Sequence, residues 1–245
     1  MQTLDTAQLI ALAGALGWAS GVRLYAVVLL VGMAGFLGWV DLPVGLRLLA
    51  QPVVLGASGF MVFVEFFADK IPGLDSLWDM VHTVIRIPAG AALAGSVFGA
   101  DSATMGLLAA VVGGSLAATS HMAKATTRAA INTSPEPFTN IGTSLLEDGL
   151  VPFLLWAAVV SPWLFGIGLV FLVLLSVLLI RTCWRYLRSV FSRVTRIFSG
   201  QPDPGAEPAF KWGRKKSAAP VSPIPAPTPT PTATPTPTSD GPPHV

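Results

Sequence analysis

EFFADKIPGLDSLWDMVHTVIRIPAG, residues 65–90, is the stretch on which the reading of this chain turns. Its surroundings are strongly apolar, yet it holds Glu65, Asp69, Lys70, Asp75, Asp79, His82 and Arg86. Taken as a helix from Leu74, it divides into two faces. Leu74, Leu77, Trp78, Val81, Val84 and Ile85 recur at spacings of three and four, and Asp75, Asp79, His82 and Arg86 recur likewise one position along. Side chains at those spacings line up along a helix, so an apolar stripe runs beside a charged one. Glu65 and Asp69 are four apart and share a face of the preceding helix. Pro72 ends that helix because it lacks the amide that continues the ladder, Asp75 is placed to cap the next one, and Pro88 and Gly90 are expected to break or kink it.

Composition sets the medium. Of 245 residues, 52% are hydrophobic and only 11% charged, where a soluble domain carries roughly 25% charged residues. Mean hydropathy is +0.66, and the apolar positions form long runs. Together these specify a polytopic membrane protein rather than a soluble domain with a large core. The single cysteine, Cys183, excludes an intrachain disulfide and a thiolate metal site. The N-terminus has no basic segment ahead of its apolar stretch, so it reads as the start of a first helix and not as a signal peptide.

The first apolar segment, about Ala7 to Val40, would be roughly 50 Å long as one helix against a hydrocarbon core of about 30 Å. Two readings fit it: a break near Gly17–Gly21 with a longer helix from Arg23, or one tilted helix whose small residues pack against neighbours. Leu48–Phe67 forms a second crossing and Met105–Thr119 another. SPEP, residues 134–137, ends the helix after that. The stretch from Ser144 to Ile180 is again too long for one crossing, and Pro162 marks a kink or a hairpin turn. The expected fold is all-α: a polytopic helical membrane bundle with broken or re-entrant helices over residues 1–180, a basic amphipathic helix over 181–199 and a disordered Pro/Thr-rich tail over 200–245. Arg181, Arg185, Arg188, Arg193 and Arg196 are placed to meet anionic lipid headgroups and to mark the cytoplasmic side. Nucleic acid is excluded as a partner, since these cations lie where headgroups would be. Self-association into a homo-oligomer stays open.

Charges of opposite sign alternate along the chain. Arg23 comes first, then Glu65 to Arg86, then His121, Lys124 and Arg128 on one helix face, then Glu147 and Asp148. One reading places these groups at an interface, facing water. The other pairs them inside the bundle, which is how charged groups persist within membrane proteins. On the second reading Arg23, Lys124 and Arg128 are candidates to bind phosphate or carboxylate. Glu65, Asp69 and Asp79 are candidates to carry protons, and His82 and His121 suit a relay. A Gly/Ala/Ser-rich segment followed by cations, Gly14–Arg23, is echoed at Gly113–Lys124, in the manner of a transporter repeat.

Four blocks carry a resemblance: ASGVRLY at 19–25, VEFFADKIPGLDSLWDMVHTVIRIPAG at 64–90, KATTRAAINTSPEPFTN at 124–140 and SLLED at 144–148. In this order they are similar to the bacterial integral-membrane family called domain of unknown function 4126, over roughly Leu9 to Ile180. The resemblance implies a helical inner-membrane protein and supplies no activity. The leading functional expectation is a transporter or translocase of a small anionic or lipid-phosphate substrate, with no cofactor. The alternatives are a metal-dependent intramembrane enzyme, using Glu65, Asp69, Asp75, Asp79 and His82 as ligands without any recognised metal motif, and a non-catalytic membrane scaffold.

Overall fold

The computed structural model describes residues 4–71, 73–133 and 137–199. Among them the elements are all helices, with no strand: α1 (Thr6–Phe36), a 3-10 helix (Val44–Ala50), α2 (Pro52–Ala68), α3 (Leu74–Ser96), α4 (Ala103–Ile131), α5 (Pro137–Val160) and α6 (Pro162–Ser199). Four helices, α1, α4, α5 and α6, are long and apolar enough to cross a membrane. The 3-10 helix and α2, bent by 68° at Gln51, together make a fifth crossing if they act as one span.

α1 opens with a reciprocal cap, in which Asp5 accepts from the Gln8 amide and Gln8 from the Asp5 amide, both at 2.8 Å. The Gln8 side chain then donates to the Val159 carbonyl at 2.6 Å, fixing the start of α1 to the end of α5. Further along, α1 is interrupted at one residue, Arg23, whose φ of −144° and ψ of 81° are not helical. The break therefore falls on the arginine itself and not in the Gly17–Gly21 run. Those glycines serve contact instead. A Cβ on Gly17 would lie 2.6 Å from the Gly113 Cα, and one on Gly90 would lie 2.6 Å from the Ala117 Cβ. So α1, α3 and α4 meet backbone to backbone, as small residues allow in membrane bundles. The two small-residue segments that resemble a repeat thus pack on one another, Gly17 against Gly113, and the break at Arg23 belongs to the first.

Other boundaries differ from expectation. α3 runs through Pro88 to Ser96 without breaking. Asp75 lies in the first turn of α3 and the capping position is Gly73, at a φ of 87°. There Asp75 still takes two backbone amides, Gly73 at 2.9 Å and Ser76 at 2.6 Å. α5 begins at Pro137, so Glu147 and Asp148 sit well inside it rather than at its start. Ser161 separates α5 from α6. α6 then continues through Ile180 to Ser199 as one helix, with Arg181, Arg185, Arg188 and Arg193 exposed. The expected stop at Pro72, the Ser134–Glu136 part of SPEP, the Arg196 side chain and the Pro/Thr-rich tail lie outside the described residues.

α3 is packed with its charged stripe inward. Asp75, Asp79, His82 and Arg86 are buried, while Met80, Val81 and Val84 are exposed. That orientation, reversed relative to a soluble protein, follows from a lipid surround in which apolar side chains need no shelter and charges do.

Candidate functional site: a buried charge network

Asp69 is the hub. It caps the C-terminal end of α2, where its backbone amide bonds the Glu65 carbonyl at 2.9 Å. Its Oδ2 faces three cations from two helices: Lys124 Nζ at 2.9 Å, Arg23 at 3.1 Å and Arg128 at 3.7 Å. Burial alone would push this carboxyl up, but Lys124, Arg128 and Arg23 together hold it below its ordinary value. Its carbonyl accepts from Arg128 at 2.8 Å and from Asn140 at 3.3 Å.

The break at Arg23 aims that side chain across α1 toward α5. Its guanidinium reaches Asp148 at 3.0 Å and donates to the Ser144 hydroxyl at 3.0 Å. The Val22 carbonyl, beside the break, accepts from Lys124 Nζ at 3.1 Å. On α4, Lys124 and Arg128 lie one turn apart and share Glu147 Oε2, at 3.3 and 2.8 Å. Arg128 also meets Asp75 at 3.4 Å, and Asn132, the next turn along, donates to Asp75 at 2.8 Å. On α3, Arg86 is clamped by two carboxylates, Asp79 at 2.8 Å and Glu65. Lys124 Nζ also approaches Asp79, at 3.5 Å, and so joins the Arg86 group to the rest.

Five carboxylates (Glu65, Asp69, Asp75, Asp79, Glu147) and four cations (Arg23, Arg86, Lys124, Arg128) are buried in this cluster. With every group ionised it carries one net negative charge. Glu65 Oε2, Asp69 Oδ1 and Asp79 Oδ2 are buried without a hydrogen-bond partner, as are the Nε atoms of the three arginines. At one edge the network reaches the surface through Asp148 and Lys70, which stand 3.5 Å apart and are 26% and 20% exposed. Partial burial lowers the Lys70 ammonium from its ordinary value, and Asp148 opposes that shift.

The histidines lie beside the network. His82 Nδ1 bonds the Trp78 carbonyl at 2.8 Å and so must carry a proton there, leaving Nε2 facing the Tyr25 hydroxyl at 3.1 Å. Thr83 donates its hydroxyl to the Asp79 carbonyl at 2.9 Å, so His121 Nε2, 2.8 Å from the same oxygen, is the donor in that contact. Neither ring is hydrogen-bonded to a carboxylate of the cluster, so any relay through them passes Tyr25 or Thr83.

The structure thus brings ten of the sequence candidates into one connected set: Arg23, Glu65, Asp69, Asp75, Asp79, Arg86, Lys124, Arg128, Glu147 and Asp148. A solvent-facing arrangement would have left them exposed. Lys70, Tyr25, Thr83, Asn132, Asn140 and Ser144 are participants that the sequence reading did not select. Asn132 lies four residues after Arg128, and Asn140 and Ser144 precede Glu147 and Asp148 at helical spacing, so extending the same stripe rule to amides and hydroxyls finds them. Among the described residues no group of three His, Cys, Asp or Glu side chains is arranged to hold a metal ion. An apolar cavity of about 320 Å³ between α1 and α5 is lined by groups such as Leu30, Trp39 and Trp156 and does not touch the network.

Spanning helices around a cluster of paired charges define a polytopic helical membrane protein with an ionised interior. The family model described as "Domain of unknown function (DUF4126)" matches residues 10–182, and the chain belongs to that family. The match takes in every member of the charge network. Neither the curated proteins nor the solved structures gave a match to this chain.

Proposed function

We propose that this protein is a transporter or translocase of a small anionic or lipid-phosphate substrate, with the buried charge network as its working site. In this proposal it lies in a bacterial inner membrane with its C-terminus on the cytoplasmic side. One observation carries the reading: nine ionisable side chains are buried in one connected cluster beside a break in a spanning helix. Stability is a weak reason for such a cluster, since apolar packing in place of a buried ion pair is often neutral or stabilising. Ionised groups inside membrane proteins mark substrate and proton pathways. A helix opened at the site also frees backbone for a ligand, as in transporters with discontinuous helices.

The metal-dependent alternative fits less well. The carboxylates it would recruit are each faced by guanidinium or ammonium groups. The scaffold alternative accounts for the exposed arginines of α6 but gives the buried cluster no task.

Reconstituted liposomes test the reading. Flux of a panel of small anions, and movement of fluorescent short-chain lipid phosphates between leaflets, are compared with liposomes lacking protein. The expected result is protein-dependent flux of at least one such anion, reduced tenfold or more by Lys124→Met in protein that still elutes as a folded species. Absence of flux for every anion and lipid phosphate, from folded wild-type protein, would overturn the reading and favour the scaffold.

A further inference from the structure

A transported anion needs a cation to bind, and Arg23, Arg86, Lys124 and Arg128 each already face a carboxylate. One of the five buried carboxylates differs from the rest. Glu147 is 8% exposed, whereas Glu65, Asp69, Asp75 and Asp79 are at 1% or less. It lines a crevice of about 150 Å³ between α1, α4, α5 and α6. Leu146 and Leu150 of α5 and Leu172, Leu175 and Leu179 of α6 form its apolar walls, and Lys124 and Glu147 are its charged lining. Within Glu147 the two oxygens are unequal. Oε2 takes both Lys124, at 3.3 Å, and Arg128, at 2.8 Å. Oε1 has no hydrogen-bond partner among the described residues.

We propose that Glu147 is an exchangeable internal anion: it occupies the seat on Lys124 and Arg128 that the phosphate of an incoming lipid takes, and it vacates that seat on taking up a proton. This inference rests on the transport reading above and names its substrate class and its coupling. An ammonium beside a guanidinium suits a phosphate, which offers several acceptor oxygens to both. The leucine walls suit a hydrocarbon chain entering sideways from the bilayer, and the small volume admits the headgroup end of such a lipid.

Charge arithmetic supports exchange at one to one. The buried cluster, with five carboxylates and four cations, carries one net negative charge when fully ionised. A proton on Glu147 cancels it, and a singly charged phosphate diester restores it. The bundle therefore buries the same net charge before and after. The groups facing Glu147 are Lys124 and Arg128 from α4. Behind them stand Asp69, which shares both cations, and Asp75 and Asp79, which share one each. Asp148, next along α5, is engaged by Arg23 of α1 and by Lys70. α6 presents leucines and Ser176 to the crevice and no titratable group.

Binding to purified full-length protein in detergent tests this, with two probes whose charge does not change with pH. Dimethyl phosphate presents the headgroup alone, and hexyl methyl phosphate adds one chain. Wild-type affinity for both is expected to rise by up to about tenfold for each unit of pH lowered, with one proton taken up per molecule bound. Glu147→Gln should bind at all pH values with no such dependence. Leu175→Trp, which fills the crevice, should weaken the hexyl probe at least tenfold and the dimethyl probe far less. Binding without proton uptake by wild-type protein overturns the exchange whether or not Glu147→Gln folds, and so does a folded Glu147→Gln that keeps the wild-type pH dependence. In both cases anion binding, and with it the transport reading, survives. Equal affinity for the two probes removes the lipid from the proposal. If folded wild-type protein binds neither probe at any pH, the exchange fails, and the anion-flux measurement decides separately whether the transport reading fails with it.

Discussion

α3 and α6 are long helices of one bundle that bury opposite chemistry. α3 turns Asp75, Asp79, His82 and Arg86 inward and leaves Met80, Val81 and Val84 outside. α6 turns Val170, Phe171, Leu174 and Leu178 outward, and among its described side chains only Phe165 and Ser176 are buried. The difference shows what orients a helix in this protein. Lipid is as apolar as leucine, so hydrophobicity does not distinguish the inner face from the outer one. Charge does. A helix with a charged stripe turns it toward partners of opposite sign. A helix without one is held by shape and by its ends.

If charge orients α3, removing its central cation should be the most damaging single change. Arg86 is fully buried and is the guanidinium shared by Glu65 and Asp79. Arg86→Leu strands Glu65 without a cation and leaves Asp79 only Lys124, at 3.5 Å, at a cost of about 3–5 kcal/mol. Thermal unfolding in detergent should show that loss. The double variant Arg86→Leu with Glu65→Leu should recover part of it, because the second change removes one stranded charge. A double variant as unstable as the sum of its parts would mean that the pair is not energetically coupled.

Shape comes next. Gly17 on α1 faces Gly113 so closely that an added Cβ would lie 2.6 Å from the Gly113 Cα. Gly166 on α6 has no atom within 4 Å of such a Cβ. Both glycines are helical, so alanine should favour each by intrinsic propensity, by roughly 0.5–1 kcal/mol. At Gly166 that gain should appear. At Gly17 overpacking, typically about 1–3 kcal/mol, should reverse it. Unfolding temperatures that move the same way for both variants would show that the contact of α1 with α4 is not tight.

Periodicity made much of this legible. The charged stripes at residues 75–86 and 121–128 were visible because helical spacing is local, and so was the pairing of Glu65 with Asp69 on one face. Periodicity leaves two orientations of the charged stripe open, facing water at an interface or paired inside the bundle, because amphipathicity alone is silent about the solvent. The partners were not visible. Asp69 with Lys124 and Arg23 with Asp148 join residues far apart in the chain, and packing decides them. The two readings of the first segment, a break near Gly17–Gly21 and one tilted helix with packed small residues, each hold in part: the helix does break, but at Arg23, and the glycines pack. Glycine in a membrane helix serves close approach, while an arginine with three acceptors across the bundle can hold a non-helical backbone. Glu147 looked like any other acid in SLLED. Its distinction, a place on the crevice, exists only once α6 is packed beside α5.

The smallest effect is expected on α6, where charges lie outside. Arg181, Arg185, Arg188 and Arg193 are exposed, and no described ion pair engages them. Arg188→Ala should therefore shift unfolding by no more than about 0.5 kcal/mol, in contrast with Arg86→Leu. Its consequence should appear at the membrane instead. If this end of α6 lies against anionic headgroups, each arginine there contributes about 1 kcal/mol of attraction, screened by salt. Replacing Arg185 and Arg188 together should leave the unfolding temperature in detergent unchanged. It should weaken the contact of a spin label at Cys183 with headgroups in anionic vesicles, and should do so less at high salt. A label that reports the same environment in anionic and in neutral vesicles would show that these arginines face water, and the contrast between α3 and α6 would then be one between paired charges and merely solvated ones.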